Sequence, residues 1–82
     1  MIQRCYSVYD LKAGAFAPPF FVVNDQVAVR VFAAAQTDPS HPMSRFPEDF
    51  QLHRIGEFDD ETGNFECLAQ PEHVVTAHST EL

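Results

Sequence analysis

The sequence predicts an α+β fold: a small single domain with an antiparallel sheet of three to four strands and one helix packed on a face. Three observations lead there. The chain opens on a run rich in β-branched and aromatic residues, IQRCYSVY. An apolar stretch with helical periodicity follows behind Asn24, and two strand-like runs then bracket an acidic loop ending in Gly63. Such a sheet has an apolar face that a second layer must bury, and the helix is the element available to do it. At 82 residues there is room for one domain, residues 1–82, with a tail expected to fray from about residue 77.

Residues 2–9 form the first predicted strand, with Tyr6 and Val8 on a face opposite Cys5 and Tyr9. Gly14 and the paired Pro18 and Pro19 break the pattern over residues 10–19, giving a loop whose Phe16 suggests that it is pinned to the body. Residues 20–23 can extend again as a short strand. Asn24 can then accept a bond from the unsatisfied amides of a following helix turn, and Asp25 suits the positive end of that helix. The helix is predicted over residues 25–36, with Val27, Val31 and Ala35 on one stripe and Ala28 and Phe32 beside it. Val23 and Ala28 have the spacing of a hydrophobic staple, and Thr37-Asp38-Pro39 ends the helix.

No period persists over residues 40–49, where Pro42 and Pro47 indicate an irregular crossover with one turn starting at Pro47. Residues 50–58 and 64–68 are strands joined by a hairpin loop, whose Gly63 suits a left-handed position. Leu52 and Ile55 do not fit one strict alternation, so Gly56 marks a bulge or a close contact that resets the faces. Gln70-Pro71 makes a turn, and residues 73–76 read as a short edge strand. Either these or residues 20–23 supply the fourth strand.

Charge narrows the function classes. The net charge is −7, from twelve acidic and five basic side chains, and the basic residues never sit together. Phosphate binding relies on Lys and Arg displacing counterions, so direct binding to nucleic acid or to an anionic membrane is disfavoured. No run approaches the ~20 apolar residues needed to span a bilayer. Cys5 and Cys67 are the only cysteines, ordinary for buried thiols in a reducing compartment, with one long-range disulfide as the alternative. They and the four histidines lack the close ligand pairing of a zinc site, and the acidic residues 57–61 lack the helix-flanked spacing of a calcium loop. Carboxylates beside a turn stay hydrated, and no glycine-rich phosphate loop is present. The expectation is a protein that is not an enzyme, with no metal and no cofactor.

Two features remain as binding signals. Residues 57–61 are either a solvated hairpin or an acidic tip for docking a basic patch. Eight Phe are many large apolar bodies for one small core, so they either fill it or leave some from residues 16–21 and 46–50 for an interface, self-association as a homodimer being one version.

Three segments in this order resemble the small nonstructural protein of gokushovirus-type microviruses, phages with single-stranded circular DNA genomes. They are Tyr9-Asp10-x-Lys12 through Gly14 and Phe16 to Pro19-Phe20; Asn24-Asp25 with Ala28, Arg30 and Phe32; and Pro47-Glu48-Asp49-Phe50 through Ile55-Gly56-Glu57-Phe58-Asp59 to Thr62-Gly63. The resemblance implies a protein that is not a capsid building block and that acts in single-stranded DNA synthesis or packaging. It implies no catalytic, metal or DNA-contact residue. With the residue-level reading, it gives an accessory protein of the host cytoplasm that holds a viral or host protein. Phe16, Phe20 and Arg45 are the candidate contact points, and Asp59, Asp60 and Glu61 steer the partner electrostatically. The alternatives are a single-stranded DNA-binding protein that stacks bases on aromatic rings, and an acidic DNA mimic that occupies a host protein.

Overall fold

Regular alternation makes Ile2–Asp10 a strand, β1, and its two faces organise everything else. Tyr6 and Val8 point toward the core, while Cys5 and Tyr9 lie on the opposite face. The computed structural model describes residues 1–77, so the expected frayed tail lies, beyond Ala77, outside the described residues.

Around β1 stand Ala15–Phe16 (β2), Phe20–Val22 (β3), Phe50–Asp59 (β4) and Phe65–Thr76 (β5). All pairings are antiparallel, in the order β2-β1-β4-β5, with β3 also beside β1. The five-stranded sheet thus contains both candidates for the fourth strand. Residues 20–22 are β3, and residues 73–76 are the second half of β5. The two short strands share one edge of β1, and between them Pro18 and Pro19 supply no N–H for pairing. β2 is the pinned part of the predicted loop, Phe16 lying opposite Tyr9.

Asp25–Gln36 forms the helix α1. The Asn24 side chain accepts from the Val27 N–H at 2.9 Å, satisfying one of the amides that a helix start leaves without a partner. The buried stripe is rotated from the predicted one. Ala28 and Phe32 are its centre, with Val29 and Ala35 alongside, while Val31 is exposed. Burying the Phe32 ring removes more apolar area than burying a valine, and the small Ala28 lets the helix approach the sheet. Val23 also stands exposed, so the Asn24 cap rather than a well-buried staple holds the start of the helix.

The core joins Tyr6, Phe50 and Leu52 from the sheet with Ala28 and Phe32 from α1, and with Met43. Met43 comes from the crossover, which holds two short 3-10 turns, Pro42–Ser44 and Pro47–Asp49. The turn at Pro47 is the expected one. That at Pro42 is held by His41, whose Nδ1 accepts from the Met43 N–H at 3.0 Å.

Between Tyr6 and Cys5 on β1, the partners on β4 step from Arg54 to Gly56, leaving Ile55 as an extra residue. This bulge returns the alternation of β4 to that of β1. Opposite it, the pairing of β5 steps from Cys67 to Glu72, so Leu68–Pro71 make no pair with β4. The strand nevertheless runs on through Gln70-Pro71, where a turn was expected, and the two strands read from sequence are one, because the chain takes up the extra residues as an irregular stretch of the edge strand. At the far end Gly63 has φ +77°, and its N–H donates to the Asp59 carbonyl at 2.8 Å, closing the hairpin.

Two apolar surfaces and an acidic tip as the candidate functional site

Pairing register assigns each strand residue to a face of the sheet. The inner face carries Tyr6, Val8, Leu52 and Val75 under α1, and toward the hairpin Arg4, Glu57 and Glu66. The outer face carries Gln3, Cys5, Ser7 and Tyr9 of β1, Phe21 of β3, Gln51, His53, Gly56 and Phe58 of β4, and Phe65, Cys67, His73 and Thr76 of β5. None of these outer residues is a carboxylate, lysine or arginine.

The outer rings form two groups. Phe21 meets Phe58 and Phe65 edge-on, with centroids 5.7 and 5.9 Å away. Phe16 packs on Tyr9 at 4.6 Å and meets His53 at 5.5 Å, and His53 reaches His73 at 5.7 Å. These are ordinary aromatic pair separations. Cys5 and Ser7 are buried on this face, with the Ser7 hydroxyl donating to the Ala17 carbonyl at 2.6 Å. Phe16, Phe21 and Phe65 nevertheless remain 44%, 43% and 44% exposed, so the rings cover residues below them without being covered.

His53 Nε2 lies 3.0 Å from Gln51 Oε1, and its Nδ1 is buried without a partner. Burial holds this imidazole below its usual pKa, and His73 adds to the shift. With Nε2–H donating to Gln51, the neutral ring leaves only a lone pair unbonded; charging it would add a buried N–H with no acceptor. On the inner face the Tyr6 hydroxyl donates to Asp25, tying β1 to the first turn of α1. Burial, then this bond, pushes the Tyr6 pKa up to about 12.

A second apolar surface lies where the β1–β2 turn faces the crossover. One hollow of about 320 Å³ is lined by Val8, Asp10, Phe16, His41 and Phe50. A neighbouring hollow of about 330 Å³ is lined by Lys12, Pro42, Phe46 and Asp49, sharing Asp10 and Phe50 with the first. They form one trough. Arg45 stands with Phe46 and His41 at the next depression, extending the rim.

The sequence-predicted site residues therefore divide among three places. Phe16 lines the trough and also packs into the outer face, and Arg45 marks the end of the rim. Phe20 is half-buried with its ring stacked on Tyr6 at 5.9 Å, in contact with the core. Asp59, Asp60 and Glu61 lie at the hairpin tip, where the Met1 amino nitrogen is 2.7 Å from Asp60 Oδ1 and 3.2 Å from Glu61 Oε2. The bond from this amino group holds the Asp60 carboxyl below its usual pKa. Sequence reading passed over the joining of Phe21, Phe58 and Phe65, because their meeting depends on strand order and on the bulge.

The family model described as Phage ORF5 protein matches residues 3–80. The chain belongs to this family. Protein ORF5 of Chlamydia phage 1 is 34% identical to it over 64 residues, covering 73% of this chain and 67% of that protein. The resemblance to a small gokushovirus-type microvirus protein is thereby borne out. No solved structure matches the chain.

The segments that carried the resemblance occupy specialised points of this ORF5-family fold. Gly14 and Gly63 have positive φ in turns, Asn24 caps α1, and Ile55-Gly56 is the bulge. Among the described residues no group of three or more His, Cys, Asp or Glu could hold a metal ion, and Cys5 and Cys67 are free thiols. No helix in that range is long and apolar enough to cross a membrane.

Proposed function

We propose that this ORF5-family protein is a nonstructural accessory protein that works in the host cytoplasm by protein–protein contacts during single-stranded DNA replication or packaging. It holds a viral or host protein and catalyses no reaction. The observation that carries this reading is the apolar trough between the β1–β2 turn and the crossover, with Lys12 and Arg45 at its rim. Its exposed Phe46 and neighbouring Phe16 offer aromatic anchors of the kind that dominate protein interfaces. The cations do not form a phosphate track: Arg4 lies 3.7 Å from Asp25, and Arg54 bonds Glu72 and lies 3.8 Å from Glu57. The acidic tip at the hairpin adds long-range steering toward a basic partner.

A photo-crosslinking residue at Phe46 in the tagged protein, used during infection, tests the reading. It is expected to capture a discrete replication, capsid or host protein that the same probe at Val31 does not. No specific capture at Phe46 under gentle salt conditions counts against the reading. A second reading, direct binding of single-stranded DNA, draws on the exposed Phe16, Phe21 and Phe65 rings as stacking platforms. Titration with a labelled oligonucleotide at low salt separates the two, because absence of binding there removes the second.

A further inference from the structure

An apolar sheet face is stable when a second layer covers it. On the inner side that layer is α1; on the outer side no described element packs over Phe21, Phe58 and Phe65. We propose that the outer face is the contact surface of a homodimer, with a second copy of this chain stacked face to face against it.

Charge selects a second copy as the occupant. The chain carries −7, so two copies brought together through the hairpin tip or the inner edge would set carboxylate against carboxylate. The outer face is free of that repulsion, since register places no charged strand residue on it. It is also neutral, so it offers nothing for a charged partner to recognise, while its rings and the Gln3, Gln51 and Thr76 side chains suit the self-complementary contact of a two-fold dimer.

The β5 edge of the sheet gives no competing route, and the other edge holds only the two- and three-residue strands β2 and β3. β5 departs from its ladder over Leu68–Pro71; Pro71 has no N–H to donate, and Glu66 and Glu72 flank the interruption. Size also fits. The molecule measures 42 × 23 × 20 Å, and the nine residues of β1 at ~3.3 Å each run about 30 Å of the face. A face of that length can supply the roughly 800 Å² per partner of a stable interface.

Sedimentation of the full chain over a concentration series tests the proposal. The wild type and Val31→Asp, which places a carboxylate on the exposed side of α1, are expected to reach the dimer mass. Phe21→Asp and Cys67→Asp place one on the outer face and are expected to raise the dissociation constant about tenfold or more. Cys67 is exposed and loses no ring on substitution, so this variant keeps the test meaningful if Phe21→Asp fails to fold. Alkylation of the wild-type Cys67 should slow as protein concentration rises. A wild type that stays monomeric at every concentration overturns the proposal, as does a dimer unaffected by both outer-face variants. So does a monomer that binds oligothymidylate and loses it on Phe21→Ala, which would give the face to single-stranded DNA.

Discussion

Gly56→Ala sets two effects of opposite sign against each other. A strand glycine has no positive φ here, so alanine meets no backbone strain and should stabilise by about 0.5–1 kcal/mol through a less flexible unfolded chain. The space is occupied, however. A Cβ at Gly56 would lie 2.6 Å from the Glu66 carbonyl oxygen, 2.9 Å from Phe65 Cε1 and 3.3 Å from Cys67 Cα. The ring can turn aside, but the carbonyl and Cα belong to β5 and can move only with the strand. Overpacking of this kind costs about 1–3 kcal/mol, so the steric effect wins and the net loss is about 1–2 kcal/mol. At this chain length that lowers Tm by roughly 5–15 °C.

Urea denaturation followed by circular dichroism, at one fixed protein concentration, is the assay. The midpoint should fall with the slope unchanged. Adding Phe65→Leu should return only the part due to the ring, because the carbonyl contact remains. A Gly56→Ala protein as stable as the wild type to within about 0.5 kcal/mol would refute the reasoning, by showing that β4 and β5 are not held so closely together.

Three further outcomes are expected. Asn24→Ala removes the cap on the Val27 N–H and should cost about 1 kcal/mol, seen as a lower urea midpoint with reduced helicity. Tyr6 is pushed from 10 to about 12, so the unfolded chain ionises first; its contribution is complete below pH 10 and about 3 kcal/mol is lost as pH rises to 12. Tyr6→Phe should flatten that alkaline slope in urea titrations, and an unchanged slope would remove the Tyr6–Asp25 bond from the account. His53 is lowered from 6.5, so its contribution is complete above that pH and is lost as pH falls through the folded value; His53→Gln should reduce the acid-side loss of stability.

The local signals in this sequence were strong, and they are where reading succeeded. Asn24 before an apolar period gives the start of α1, and Gly63 closing an acidic loop gives the hairpin, because each satisfies a backbone requirement within a few residues. The rotation of α1 was not legible: Val31 and Phe32 are both apolar, and only packing against Tyr6 and Leu52 chooses the larger ring. Met43 was hidden in a proline-broken crossover with no period to mark it. The trough was partly legible, since residues 16–21 and 46–50 supply Phe16, Phe46 and Phe50, but its closure depends on the β1–β2 turn meeting the crossover.

The failure of strict alternation around Ile55 was the most informative sequence feature. Were Ile55 paired in regular alternation, with no bulge, β4 would run straight on from Leu52 and Arg54, putting Gly56 and Phe58 on the inner face and Glu57 on the outer. Phe58 would then leave Phe21, and a carboxylate would take its place among the rings. The bulge instead sends Phe58, and through pairing Phe65, outward beside Phe21, and turns Glu57 and Glu66 inward toward Arg4 and Arg54. Leaving Ile55 out of the ladder as a bulge thus sorts charge to one side of the sheet and aromatic surface to the other. A chain with this much net charge can keep a neutral apolar face only if its register enforces that separation. Deleting Ile55 would place Arg54 and Gly56 in succession opposite Tyr6 and Cys5 and should leave both faces as they are, whereas one residue inserted between Gly56 and Glu57 should turn Phe58 inward and Glu57 outward, damaging the outer face before the Tyr6–Leu52–Phe32 core.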